Sequence, residues 1–192
     1  MNPTSFRSLA SLPRLAAVAA WAVILAGPAS IPAMAQTATP SMNLRDTLPN
    51  LRQPRAALLT AGQPPARAWK ALAADGVTTV INLRPTDEMG GRDEAAEVAA
   101  AGLRYHALPV AGAGDITTDN ARGLWTLIAQ AQAHGKVLVH CASGNRVGAL
   151  LAIAAAGEGG VSAEQALQFG RAAGLAGLEP LVREQLALPP AP

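Results

Sequence analysis

The chain has a single cysteine, Cys141, among its 192 residues. A disulfide-stapled mini-protein is excluded, because intramolecular bridges need cysteines in pairs. Charged residues make up only 15% of the chain against 50% hydrophobic, which excludes a disordered polyampholyte. Aromatic residues reach 3%, so most of the apolar mass is alanine and aliphatic. Long apolar runs are scarce, with one at the N-terminus, which argues against a polytopic membrane protein. No cluster of Lys and Arg interleaved with aromatics occurs. The formal charge of +2 includes Arg7 and Arg14, and without them 13 cations face 13 anions. A nucleic-acid partner is not expected of such a balance. There is no Gly-x-x-x-x-Gly-Lys-Ser/Thr loop and no Gly-x-Gly-x-x-Gly, so nothing predicts a nucleotide; no cofactor is expected. His106 and His134 lie far apart and no His-x-x-x-His pair exists, so no metal site is expected.

The N-terminus has three zones. Arg7 and Arg14 form a positive front, Leu15 to Gly27 is an uninterrupted apolar run, and Ala33-Met34-Ala35 precedes Gln36. This pattern predicts a secretory signal peptide over residues 1–35, cut between Ala35 and Gln36. The implied destination is a bacterial periplasm, with membrane contact only through the uncleaved segment. Residues 36–55, rich in Pro, Thr, Ser and Asn, read as a linker or irregular segment, and 56–188 as the folded domain.

Within that domain strands and helices alternate. Val77 to Leu83 is β-branched and reads as a buried strand, Leu103 to Val110 as a second, and Val137 to His140 as a third. Helices are predicted from Pro65 to Ala74, Arg92 to Ala101, Asp119 to His134, Val147 to Ala156, from Ser162 and over Leu178 to Ala187. Ser162 with Gln165 three residues later has capping-box spacing. Alternation of this kind implies crossover connections: an α/β fold with a central, mostly parallel sheet flanked by helices in three layers. Ligands of such sheets sit at the carboxyl ends of the strands.

One segment carries chemistry: Val137-Leu138-Val139-His140-Cys141-Ala142-Ser143-Gly144-Asn145-Arg146-Val147-Gly148. A strand delivers Cys141 to its carboxyl end, a short loop follows, and a helix begins. Amides of a loop wrapping onto a helix N-terminus converge on an anion. The same field favours a thiolate, which makes Cys141 the candidate nucleophile. Ala142, Ser143, Gly144 and Asn145 form the candidate substrate-binding loop, with Gly144 allowing the backbone to turn inward. Arg146 offers a planar fork for two oxygens of an oxyanion, and His140 could support the loop from behind. Arg84 ends the Val77–Leu83 strand, either facing the same crevice or solvent. The acidic stretch Asp87, Glu88 and Asp93 to Glu97 reads as a solvated face. Trp69 and Trp125 read as core.

The segment from His140 to Arg146 resembles the cysteine-dependent phosphatases of the tyrosine and dual-specificity class, and also the rhodaneses. With Thr60-Ala61-Gly62-Gln63-Pro64, Gly76 to Arg84 and Tyr105 to Val110 added, the pattern is most similar to the bacterial beta-lactamase-hydrolase-like phosphatase-like domain family, over roughly residues 44 to 156. The resemblance implies a phosphatase-like α/β domain that hydrolyses phosphate esters through a phosphocysteine. It also implies a general acid on the loop after the Tyr105–Val110 strand, for which Asp115 is the first candidate and Asp119 the second. The substrate would be a phosphorylated small molecule or protein.

Two features depart from the phosphatase pattern. Four residues separate Cys141 from Arg146 where phosphatases of this class usually place five, and Val147 stands where they usually carry Ser or Thr. The shorter spacing is common in rhodanese loops. A sulfurtransferase working through a Cys141 persulfide, fed by a sulfur donor, is therefore the alternative. A non-catalytic anion-binding or interaction module is the third reading.

Overall fold

The computed structural model describes residues 43–191. The predicted signal segment and the first part of the predicted linker lie outside the described residues. Five strands form one sheet: β1 (Arg52–Arg55), β2 (Leu58–Ala61), β3 (Val77–Asn82), β4 (Arg104–Ala107) and β5 (Lys136–His140), in the order β1-β2-β5-β3-β4. β2, β5, β3 and β4 run parallel, and β1 returns antiparallel on β2. The sheet is thus mostly parallel, as the alternation of elements predicts.

The helices are α1 (Leu44–Thr47), α2 (Ala68–Ala74), α3 (Glu94–Ala100), α4 (Thr118–Gln132), α5 (Asn145–Gly157), α6 (Ala163–Ala172) and α7 (Glu179–Gln185). Their starts follow local chemistry. The Thr117 hydroxyl accepts the Asn120 amide at the head of α4, and Asp93 accepts the Ala96 amide at the head of α3. Ser162 and Gln165 close the predicted capping box on α6.

Residues 44–55, expected to be linker or irregular, instead carry α1 and β1. The sequence of β1 (Arg-Gln-Pro-Arg) lacks the β-branched signature because it is an exposed edge, where Pro54 is tolerated. Arg55 anchors it, with its guanidinium 4.6 Å from the Phe169 ring and 5.0 Å from that of Trp125.

Side chains alternate across the central strands and divide the core in two. Leu59, Ala61, Val80 and Leu138 pack with Trp69 and Leu72 of α2 and Val98 of α3. Leu58, Ile81, Val137 and Val139 pack on the opposite face with α4, α5 and α6. β5 is buried almost throughout because both faces are covered, which is why it reads as an unbroken apolar run.

α5 is buried along nearly its whole length, and it approaches the loop after α6 very closely. A Cβ built on Gly148 would lie 2.1 Å from the Leu175 nitrogen and 2.7 Å from the Gly170 carbonyl oxygen. Gly148→Ala is expected to destabilise the domain by about 3 kcal/mol or more, because backbone on both sides must move. Gly157→Ala, with nothing within 4 Å of the added methyl, is expected to be neutral or mildly stabilising. Urea denaturation of the two variants checks the contrast.

Candidate active site

Cys141 follows directly on β5, at the carboxyl end of the sheet, and the residue is 1% exposed. The loop it opens is held from outside. The Gln63 amide donates to the Ala142 carbonyl at 3.1 Å, and the Asn50 side-chain amide to the Ser143 carbonyl at 3.1 Å. In a planar trans peptide the carbonyl and the following N–H point opposite ways. Each carbonyl drawn outward therefore aims the next amide inward. The Gly144 amide is the visible result, donating to Cys141 Sγ at 3.0 Å. Gly144 itself has φ +96°, a left-handed value that costs glycine least.

α5 begins at Asn145, two residues before its predicted start, so Arg146 stands in its first turn and not in the loop. No side chain caps this helix. Its first amides and its dipole are directed at the space above the loop.

Arg146 has a defined orientation. Nη1 donates to Glu88 Oε1 at 2.7 Å and to the Val110 carbonyl, and Nη2 donates to Glu88 Oε2 at 2.6 Å. A guanidinium has five N–H groups. This end-on grip uses three of them and leaves Nε–H and the second hydrogen of Nη2 as a free side-on pair, the geometry that takes two oxygens of a tetrahedral anion. Glu88 is thus not part of a solvated face. Its carboxyl is held below the usual range, chiefly by the hydrogen bonds from Arg146, against a smaller opposing effect of burial. The Arg146 pKa is raised, first by Glu88, with burial opposing and the charge of Cys141 adding to the rise.

A second buried chain supports the cysteine. His140 and Glu94 are both fully buried, with His140 Nε2 2.8 Å from Glu94 Oε1. A carboxylate only accepts, so Nε2 carries the hydrogen. Gln63 donates to the other Glu94 oxygen and accepts from Arg84, which also donates to the Glu88 backbone carbonyl and approaches its carboxylate at 3.5 Å. One series of contacts thus runs from His140 through Glu94, Gln63, Arg84 and Glu88 to Arg146. His140 does not bond the loop directly, as its position behind Cys141 suggested, but acts through Glu94 and Gln63.

The remaining predicted site residues divide. Ala142 and Ser143 are exposed at the mouth and Gly144 is buried. The Asn145 side chain faces away from the loop, accepting the amides of Ala176 at 2.8 Å and Leu178 at 3.3 Å. Only its backbone remains available to an anion. Asp115 lies on the loop after β4, in a 3-10 turn (Ala113–Asp115). Its Oδ2 accepts the Ala111 amide at 2.7 Å, and the neighbouring Ala111 carbonyl lies 3.3 Å from Arg146 Nη1. The structure therefore brings the Asp115 loop to Arg146. Asp119 is exposed in the first turn of α4, paired with Arg122.

Asn50, Gln63, Glu88 and Glu94 are the residues that sequence reasoning missed. Gln63 lies in the Thr60–Pro64 stretch that carries the family resemblance, which was its one signal. Among the described residues no group of three or more His, Cys, Asp or Glu side chains is placed to hold a metal ion.

A cysteine at a strand end, an amide-lined loop and an arginine in the first turn of the following helix define a phosphatase-like site on a parallel α/β sheet. The chain belongs to the beta-lactamase hydrolase-like protein, phosphatase-like domain family, which it matches over residues 52–158. A beta-lactamase hydrolase-like protein of Agrobacterium fabrum is 32% identical over 139 residues, 69% of this chain. The chain spans about a third of that relative's length. Among solved structures, a DUF442 protein from Shewanella putrefaciens, described as a candidate phosphatase, is 25% identical with a TM-score of 0.55, covering 65% of this chain and 80% of its own. P. aeruginosa TpbA, solved as a cysteine-to-serine variant with phosphotyrosine, shares the fold at 20% identity and a TM-score of 0.53, over 79% of this chain and 99% of its own.

The His140–Glu94 pair makes a stability prediction. Burial opposes ionisation of Glu94, but the His140 contact, the Gln63 hydrogen bond and the Arg92 charge outweigh it and lower its pKa below the ordinary 4.5. A depressed carboxyl contributes stability above its unfolded pKa and loses it as pH falls through the folded value. Glu94→Gln is therefore expected to flatten the loss of stability below pH 4.5 relative to the parent protein. Glu94→Ala, which strands the His140 N–H, should cost about 3 kcal/mol at neutral pH. Urea denaturation at pH 7 and across the acid range reads both.

Proposed function

We propose that the domain is a cysteine-dependent, phosphatase-like hydrolase of phosphate esters. The observation that carries this reading is Arg146, whose side-on N–H pair is left free beside Cys141 while Glu88 holds the other edge. Cys141 as thiolate attacks phosphorus, an S–P bond forms, and the ester oxygen leaves with the bond's electron pair. Asp115 gives that oxygen a proton. The loop amides and Arg146 hold the three equatorial oxygens of the phosphoryl group. Water then cleaves the S–P bond, releasing phosphate and restoring the thiolate. For Asp115 to donate, its carboxyl must exchange the Ala111 amide for the leaving oxygen, a local turn of one side chain. The substrate is a phosphorylated small molecule or protein. The signal pattern of residues 1–35 supports action in the periplasm after cleavage between Ala35 and Gln36, which N-terminal sequencing of the exported protein tests.

A second reading is sulfur transfer. Cys141 would take the outer sulfur of thiosulfate, releasing sulfite and leaving a Cys141 persulfide for an acceptor nucleophile. The four-residue loop favours it, as does Val147, which is fully buried and offers no hydroxyl to a departing thiolate.

Phosphate release from an aryl phosphate, read between pH 5 and 8, separates these readings. Turnover is expected in the parent protein and absent in Cys141→Ser. Asp115→Asn should lower kcat about 100-fold or more, as loss of a general acid does. Glu88→Gln, which loosens Arg146 without touching substrate, should lower kcat/KM about tenfold to 100-fold. If the reduced parent protein releases no phosphate and instead carries a persulfide after thiosulfate, the second reading replaces the first.

A further inference from the structure

On the α4 face of the sheet, toward the amino ends of its strands, lies a cavity of about 150 Å³. Its floor is Thr79 of β3, its strand wall Arg104 and His106 of β4, and its helix wall includes Gln130 and, just beyond α4, His134. The register explains why these groups meet. Val80 packs with α2 and α3, whereas Ile81 packs with α4 and α5, so Thr79 faces α4 as Ile81 does. Thr79 pairs with Arg104 and Ile81 with His106, and paired residues of adjacent parallel strands share a face. From Thr79 to Asn82, beside His140, β3 runs three residues, about 10 Å, so the cavity is separate from the Cys141 loop.

Two features mark it as a site rather than a packing gap. Thr79 is fully buried, and its hydroxyl has no hydrogen-bond partner. Buried hydroxyls are nearly always satisfied, so an unpartnered one on a residue that lines a cavity points to something that fills it. Beside the apolar Leu127 and Ala131, the polar groups of the lining are also of one kind. The exposed Arg104 side chain makes no ion pair or hydrogen bond among the described residues, and no carboxylate lines the cavity. Arg104 supplies a free guanidinium, Thr79 a hydroxyl, Gln130 an amide, and His106 and His134 imidazole N–H groups. All can donate to one acceptor-rich ligand.

We infer that this cavity is a second anion site, which binds a small tetrahedral oxyanion through Arg104, the Thr79 hydroxyl and the two imidazoles. One water needs about 10–15 Å³ of such space, so the cavity has room for a group of five heavy atoms. The shared chemistry is that of phosphate as a free ion or as the head of a phosphomonoester, and the test separates these sources. The inference is independent of the chemistry at Cys141.

Inorganic phosphate and glycerol 3-phosphate are titrated separately into the folded chain while the imidazole Cε1–H signals of His106 and His134 are followed by NMR. Buried His140 and the Ser143 and Gly144 amides serve as reporters of the other site. Both surface imidazole signals are expected to move and saturate, whereas chloride at matched ionic strength should not reproduce the effect. Saturation by inorganic phosphate assigns the free ion; saturation by glycerol 3-phosphate alone assigns the esterified group. In Arg104→Ala the saturation should vanish while the Ser143 and Gly144 response is retained. Thr79→Val, which keeps shape and removes the orphan hydroxyl, should bind about tenfold more weakly, the usual worth of one hydrogen bond to a charged group. Its melting temperature without phosphate should equal or exceed that of the parent protein. The inference is overturned if neither ligand saturates the imidazole signals, or if Arg104→Ala and Thr79→Val bind phosphate as the parent protein does.

Discussion

The Ala142 and Ser143 carbonyls must be held outward for the Cys141 loop to present N–H groups to a reacting atom. A short loop, left to itself, would turn carbonyls and amides either way. Gln63 and Asn50 remove that freedom by bonding the two carbonyls from outside. Both arrive from the N-terminal side of the domain. Asn50 lies just before β1, and the Gly62 amide just after β2 is itself tied to the Pro49 carbonyl at 2.8 Å. Space is equally constrained, since a Cβ on Gly62 would meet the Ala142 carbonyl oxygen at 2.9 Å. The segment preceding the first parallel strand therefore shapes the loop after the last one, so β1 and α1 belong to the site's scaffold.

Gln63 has a second task, which joins loop shape to charge. Its backbone holds Ala142 while its side chain sits between Glu94 and Arg84. The buried Glu94 carboxylate is tolerable because His140, Gln63 and Arg92 all face it. A buried charge stripped of partners costs several kcal/mol. The arrangement is therefore cooperative: displacing Gln63 would free the Ala142 carbonyl and also leave Glu94 short of a donor. Coupling of this kind makes a loop rigid, which anion binding by amides requires because each N–H must already point at the ligand.

Much of this architecture was legible from residue patterns. β3 and β5 announce themselves by β-branched and apolar runs, α6 by its capping box, and the Cys141 loop by its place between strand and helix. The misses share a physical cause. β1 is a polar, proline-bearing edge, so its strand character comes from β2 and from Arg55 stacking on the rings of Trp125 and Phe169, far along the chain. Glu88 and Glu94 sit where acids ordinarily cap helices in solvent. Only the tertiary approach of Arg146 and His140, 58 and 46 residues distant, makes one a clamp and the other a buried partner. Asn145 misleads in the opposite direction. Its place in the loop suggests ligand contact, yet its side chain anchors the segment leading to α7.

The clamp on Arg146 also sets what the site would demand of either proposed covalent intermediate. Arg84 and Arg146 bring two positive charges to the single carboxylate of Glu88, which leaves an excess of positive charge beside Cys141. A phosphocysteine would place three oxygens above the loop, and the free Nε–Nη2 edge would meet those the amides do not reach. A persulfide adds a single sulfur, which inward-facing amides such as that of Gly144 can accommodate without the arginine edge. Glu88 thus bears strongly on one intermediate and weakly on the other. The short loop acts in the opposite sense, narrowing the cradle for three oxygens while leaving room for one sulfur. The balance between these opposed effects, Arg146 orientation against loop length, is where the two chemistries part within this one scaffold.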